Sequence, residues 1–251
     1  MSSEKSLAIV LRTVEFSETS VIATLFTEGF GKIGALAKGA RRPKGPFEAA
    51  LDLLAVCRIV FIHKTSDALD LLTEAKLERR FRSASRDLSR LYAGYYVAEL
   101  LTDLTDPSDP HPELFHCAAQ TLYELDYGER VAEVVLRFEM AMLRALGSLP
   151  SLDMCVDCGT AVEPVGRVPF GALAGGVLCP TCRTGQRHVV SVSAGVIRVL
   201  QCFAEPDSHA WQRMEMDRRV RGELRGVMNH YLAHLLGHRP RMFPYLGILA
   251  S

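Results

Sequence analysis

No stretch of this 251-residue chain approaches the roughly eighteen consecutive apolar residues that a membrane-spanning helix needs. The first apolar run, Leu7 to Leu11, follows Glu4 and Lys5 and is too short for the core of a secretory signal. Net charge is also missing, since 29 basic side chains face 29 acidic ones, so overall charge selects no class of partner. Gly29-Phe-Gly31 lacks the rest of either nucleotide-binding motif, and no G-x-S-x-G elbow occurs. Internal repeats and low-complexity tracts are absent as well. These absences predict a soluble chain that builds no enzyme active site. With 48% apolar residues it has enough material for real cores, in one large domain or two to three small ones.

Seven cysteines are present, an odd total that suits no secreted disulfide framework. Cys57, Cys117 and Cys202 stand alone in apolar stretches, where a small buried thiol is the default. The remaining four form two C-x-x-C pairs, Cys155/Cys158 and Cys179/Cys182, with twenty residues between them. Each pair can turn two thiolates onto one ion, and four thiolates saturate a tetrahedral Zn²⁺. The spacing therefore predicts one structural Zn²⁺, against the alternative of two disulfides. Gly159, Gly175 and Gly176 give backbone freedom where the thiolates converge. Reduced thiols point to a cytoplasmic location.

Two further patterns look catalytic and are set aside. His111-Pro-Glu113 matches half of the zinc-deaminase signature, but Met154 and Leu178, not proline, precede the cysteine pairs. His230, His234 and His238 fall four apart, yet Tyr231 stands where a metalloprotease needs glutamate; histidines there suit a helix C-terminus.

Hydrophobic periodicity divides the chain. Leu7–Leu11, Ser20–Thr27, Lys32–Lys38, Leu53–Ile62 and Leu69–Leu77 read as five short strands, the number in an OB-fold barrel, with an SH3-like barrel competing. From Arg82 the period becomes helical. The first helix is apolar nearly all round and is expected to be central and buried. Asp109 and Pro110 are placed to start the second, with Leu114, Phe115, Ala118, Leu122 and Leu125 buried. A third, from about Glu129 to Leu146, turns Val131, Val134, Val135, Phe138 and Met142 inward. After the cysteine segment Ser193 can cap a short helix, and a long one runs from about Met214 to Leu236. The expected fold is α+β: an OB barrel over 1–80, a helical domain in two parts over 81–150 and 189–251, and a zinc module inserted over 151–188.

Charge distribution says more than its sum. Between Glu28 and Glu48 there is no acid, while Lys32, Lys38, Arg41, Arg42 and Lys44 fall in that window. Glycines and prolines put the densest part on a loop, a cationic lip suited to a nucleic-acid backbone. Phe16, Phe26, Phe30 and Phe47 are the candidate stacking rings, with Phe26 expected to face the core. Arg218, Arg221 and Arg225 line one face of the last helix as a weaker candidate, with Glu215, Asp217 and Glu223 available to neutralise them.

Several segments resemble the bacterial recombination mediator family RecO: Ser17-Glu-Thr-Ser20, Phe26-Thr-Glu28 with Gly31, Ala37-Lys-Gly-Ala-Arg41, Leu91-Tyr-Ala-Gly-Tyr-Tyr with Glu99-Leu-Leu101, Arg137-Phe-Glu139, and Leu236-Gly-His-Arg-Pro240. They occur in the family's order over nearly the whole length. The resemblance implies a non-enzymatic DNA repair protein, cytoplasmic and associated with the nucleoid during repair. It implies binding of single- and double-stranded DNA, annealing, and contact with the acidic tail of single-stranded-DNA-binding protein. It also implies, with RecR, loading of RecA. Matched by position, Cys155, Cys158, Cys179 and Cys182 are the zinc ligands, and Lys38, Arg41, Arg42 and Lys44 the basic loop. The chain departs from the pattern at Gly45, where many relatives carry serine, and at Met242-Phe243, where they carry a basic, serine-containing stretch. A zinc-ribbon adaptor whose barrel binds protein is the competing reading.

Overall fold

The computed structural model describes residues 3–42, 45–47, 50–64, 68–83, 87–206, 208 and 210–250. The chain packs as two compact units, residues 1–129 and 130–251.

In the first unit β1 (Ser3–Glu15), β2 (Val21–Thr27), β3 (Gly31–Ala37), β4 (Val56–Ile62) and β5 (Asp70–Arg79) close into a barrel in the order β1-β2-β3-β5-β4. β3 and β5 run parallel and every other pair is antiparallel, the topology of an OB-fold. Alternation puts Ala23, Leu25, Ile33, Ala35 and Ala37 inside with Ala8, Val10, Ile59, Phe61 and Leu72. The many alanines let so small a barrel close. β1 is longer than its apolar run because its polar ends still pair, with β4 from Ser3 and with β2 as far as Glu15. A bulge between Val10 and Arg12 lets the second half of β1 leave the barrel as an exposed arm. β4 begins three residues later than its apolar run, because Leu54 is buried at φ 65°, a backbone conformation no strand accepts.

Among the described residues this unit also contains two α-helices, α1 (Leu88–Leu104) and α2 (Pro112–Tyr127). Asp87 caps α1, accepting from the Ser89 amide at 2.8 Å. Burial runs from Ala93 to Leu101, whereas Leu88 is exposed, so the first turn departs from the expected all-round burial. α2 starts two residues later than the proline pattern suggests: His111 is its N-cap and Pro112 opens its first turn. Asp109 instead meets His111 Nε2 at 2.9 Å. Its backbone also lies so close to Gly31 that a Cβ there would be 2.2 Å from the Asp109 carbonyl oxygen. The buried stripe of α2 is the one read from the sequence, and Phe115 packs on Phe26 with ring centroids 6.3 Å apart.

The second unit contains α3 (Val131–Ala145), β6 (Arg167–Gly171), β7 (Gly176–Val177), β8 (Val189–Ser193), α4 (Ala194–Ala204) and α5 (Arg218–Leu236). The three strands form a sheet in the order β7-β6-β8, whose last strand lies beyond the expected end of the cysteine module at residue 188. Ser193 does precede α4, but its hydroxyl donates to Glu223 Oε2 at 2.5 Å instead of capping the helix. α5 begins four residues after Met214 because Asp217 is the N-cap, accepting from the Val220 amide at 2.7 Å. α3 buries Val134, Val135, Phe138 and Met142, with Val131 half-buried, and it also buries two carboxylates, Glu133 and Glu139. Among the described residues no helix is long and apolar enough to cross a membrane.

Candidate nucleic-acid interface and metal centre

The Sγ atoms of Cys155, Cys158, Cys179 and Cys182 all lie within 4.8 Å of one another. The two knuckles converge because the chain around them is pinned. The Val156 amide donates to Val177 O at 3.1 Å, Val177 to Ser151 O at 2.9 Å, and Ser151 to Gly175 O at 2.9 Å. Gly159 closes the first knuckle at φ 70°, its amide donating to Cys155 O at 2.9 Å. At Gly176 a Cβ would stand 2.3 Å from Ser151 O, so only glycine permits this approach.

The sulfur spacing discriminates between the two chemistries. Cys158 and Cys179 are 3.8 Å apart, far beyond an S–S bond of about 2.0 Å. A tetrahedron with metal–sulfur arms of about 2.3 Å has edges of about 3.8 Å. Burial pushes Cys155 up, but amides of Cys179, Cys158 and Asp157 outweigh it and hold the thiol at about 6. Hydrogen bonds from Thr160 lower Cys158, while Cys182 is pushed up through hydrogen bonds with Asp157 and its fellow thiols. Four sulfurs this close cannot all ionise without a cation among them. The cluster is thus fit to hold one metal ion, and its four thiolates leave no open coordination position.

The basic cluster leaves β3 at the end of the barrel where β1 turns into β2, since Val21 pairs with Ala37. Lys38, Arg41 and Arg42 are exposed. Gly39 turns the chain at φ 75°, and the Arg42 amide returns to Gly39 O at 3.0 Å. The Arg41 amide donates to Thr19 O at 3.1 Å, which ties this loop to the β1–β2 turn. Phe16 sits in that turn and is 62% exposed. Among the four phenylalanines it alone presents an open ring: Phe26 and Phe47 are buried, and Phe30 packs edge-on against Phe61. The window free of acids in sequence is not free of them in space, because Glu15 Oε2 meets Arg41 at 2.9 Å. Both partners are solvated, so this pair is worth at most about 1 kcal/mol and phosphate can compete for the guanidinium. Lys44 lies outside the described residues.

Lys32 does something else. Its ammonium donates to the carbonyl oxygens of Thr102 and Thr105 at the end of α1, where helix carbonyls have no partner of their own. Burial lowers its pKa, against the pull of Asp103 and Asp106.

The arginine stripe of α5 also divides. Arg218 is exposed. Arg221 lies 3.5 Å from Glu133, and Arg225 grips Glu139 with two hydrogen bonds of 2.6 and 3.1 Å. The expected neutralisers were Glu215, Asp217 and Glu223, but the actual ones are buried acids of α3. Glu223 instead receives Arg167 at 2.9 Å and the Ser193 hydroxyl. The sequence did carry a signal, two glutamates spaced along the apolar face of α3.

Comparison with known proteins places this geometry. The model described as Recombination protein O N terminal matches residues 1–81, and the one described as Recombination protein O C terminal matches residues 85–242. This chain belongs to the RecO family. Proteins named DNA repair protein RecO are similar along its length. That of Rhodopirellula baltica is 44% identical over 96% of this chain and 97% of its own. That of Myxococcus xanthus is 32% identical over 96% and 95%. That of Halalkalibacterium halodurans is 30% identical over 98% and 95%. RecO membership covers both the barrel and the helical part that holds the cysteine module.

Proposed function

We propose that this chain is a non-enzymatic DNA repair protein that binds single- and double-stranded DNA and anneals complementary strands. With RecR it mediates RecA loading onto DNA coated by single-stranded-DNA-binding protein. The observation that carries this reading is the exposed lip of Lys38, Arg41 and Arg42 beside the open ring of Phe16, at one end of an OB barrel. Lys44 extends the proposed set, and Arg218 is a further phosphate contact.

Annealing requires no bond chemistry. Two strands repel through their phosphates, and cations that neutralise one strand release its counterions and lower the barrier to the other. The lip holds the backbone without reading sequence, and Phe16 offers one stacking surface. Cys155, Cys158, Cys179 and Cys182 would hold one Zn²⁺, which supplies folding energy to its module and no reaction step. The acidic tail of the single-stranded-DNA-binding protein is a further proposed partner, docking on the helical part of the chain. The test is annealing of complementary strands coated with their cognate binding protein, with and without this chain. Acceleration supports the reading, and an unchanged rate contradicts it.

A further inference from the structure

The outer side of α2 carries two tyrosines one turn apart, Tyr123 and Tyr127, which are 44% and 59% exposed. Their ring centroids are 4.9 Å apart. The Arg79 guanidinium lies over the Tyr123 ring, 5.4 Å from its centroid, and donates to the Ala119 carbonyl of the same helix. A guanidinium and two rings therefore form a short column whose last member, Tyr127, is the most open to solvent.

The column stands on a rigid base. At the C-terminal end of α2 the Asp126 carboxylate accepts the amides of Arg82 at 3.0 Å and Ser83 at 2.8 Å. The Leu125 carbonyl accepts the Ser83 hydroxyl at 3.2 Å and Arg90 at 2.9 Å. These bonds hold Arg82 and Ser83, which follow β5, against the last turn of α2. Arg82 and, two residues before it, Arg80 are exposed, the latter in a solvated pair with Asp52 at 3.2 Å. A single exposed ring is ordinary protein surface. Paired rings fixed in place with a guanidinium over one of them have the composition of a stacking platform, because rings take base faces and nearby arginines take phosphates.

We propose that Tyr123 and Tyr127 form a stacking platform for unpaired bases of single-stranded nucleic acid, with Arg80 and Arg82 on the flanking phosphates. This rests on the DNA-binding reading above and adds what the barrel lip has little of, a preference for strands whose base faces are free. A duplex keeps its base faces stacked and gains nothing from these rings.

Fluorescence anisotropy with three labelled probes tests it: oligothymidylate, an abasic strand of equal length, and a duplex. Replacing both tyrosines by alanine weakens oligothymidylate binding about tenfold, with abasic and duplex binding and the salt slope unchanged. Tyr123→Phe with Tyr127→Phe, which keeps both rings, restores oligothymidylate affinity. Equal loss on the base-bearing and abasic strands overturns the platform, as does no loss on either. If the unaltered protein binds none of the three probes, the DNA-binding reading itself falls, whereas binding that ignores the tyrosines removes the platform alone.

Discussion

Arg225 of α5 closes a two-pronged ion pair on Glu139 of α3, at 2.6 and 3.1 Å, and the Glu139 side chain has no solvent exposure. A carboxylate in that position needs its cation, so the stripe formed by Arg221 and Arg225 serves the packing of the second unit.

Removing one partner therefore acts on stability. Arg225→Ala leaves Glu139 buried without its fork and costs about 3–5 kcal/mol, read as a lower denaturant midpoint. Affinity for single-stranded DNA at temperatures where the variant is folded stays near that of the unaltered chain. Arg218→Ala, on the exposed first turn, changes stability by less than about 0.5 kcal/mol.

Lys32 offers a contrast with its neighbours in sequence. Lys32→Met keeps the methylenes and removes the donors that serve Thr102 and Thr105, at a cost of about 1–2 kcal/mol. The salt dependence of DNA binding is unaffected. A flattened salt slope in this variant would return Lys32 to the phosphate-binding set.

The cysteine cluster predicts a metal that acts on folding. Cys155→Ser loses one equivalent of bound zinc and lowers the thermal midpoint, and chelation of the unaltered protein does the same. Metal analysis and calorimetry on the same sample check this. Loss of DNA binding with no loss of stability would contradict a purely structural ion.

Much of this architecture was legible because its signals are local. Short runs of β-branched and aliphatic residues between turn residues marked the strands, and C-x-x-C spacing marked the cluster whose sulfurs now lie within 4.8 Å. What stayed hidden depends on partners far apart in sequence. The acid-free window around Arg41 acquires Glu15 through the pairing of β1 with β2, and Lys32 acquires α1 carbonyls some seventy residues on. Helix starts slipped where two capping choices compete, as with His111 and Asp109, whose backbone packs closely on Gly31. Tyr123 and Tyr127 carried no signal as a pair until the fold set Arg79 above them.

The decisive measurement is the salt dependence of single-stranded DNA binding by the variant with Lys38, Arg41 and Arg42 all replaced by alanine. Each lost phosphate contact removes about 0.7 from the slope of log affinity against log salt, so the slope should fall by up to about 2 and affinity at low salt should drop with it. Annealing should slow in the same variant. An unchanged slope and unchanged low-salt affinity would show that the barrel lip does not hold the nucleic acid.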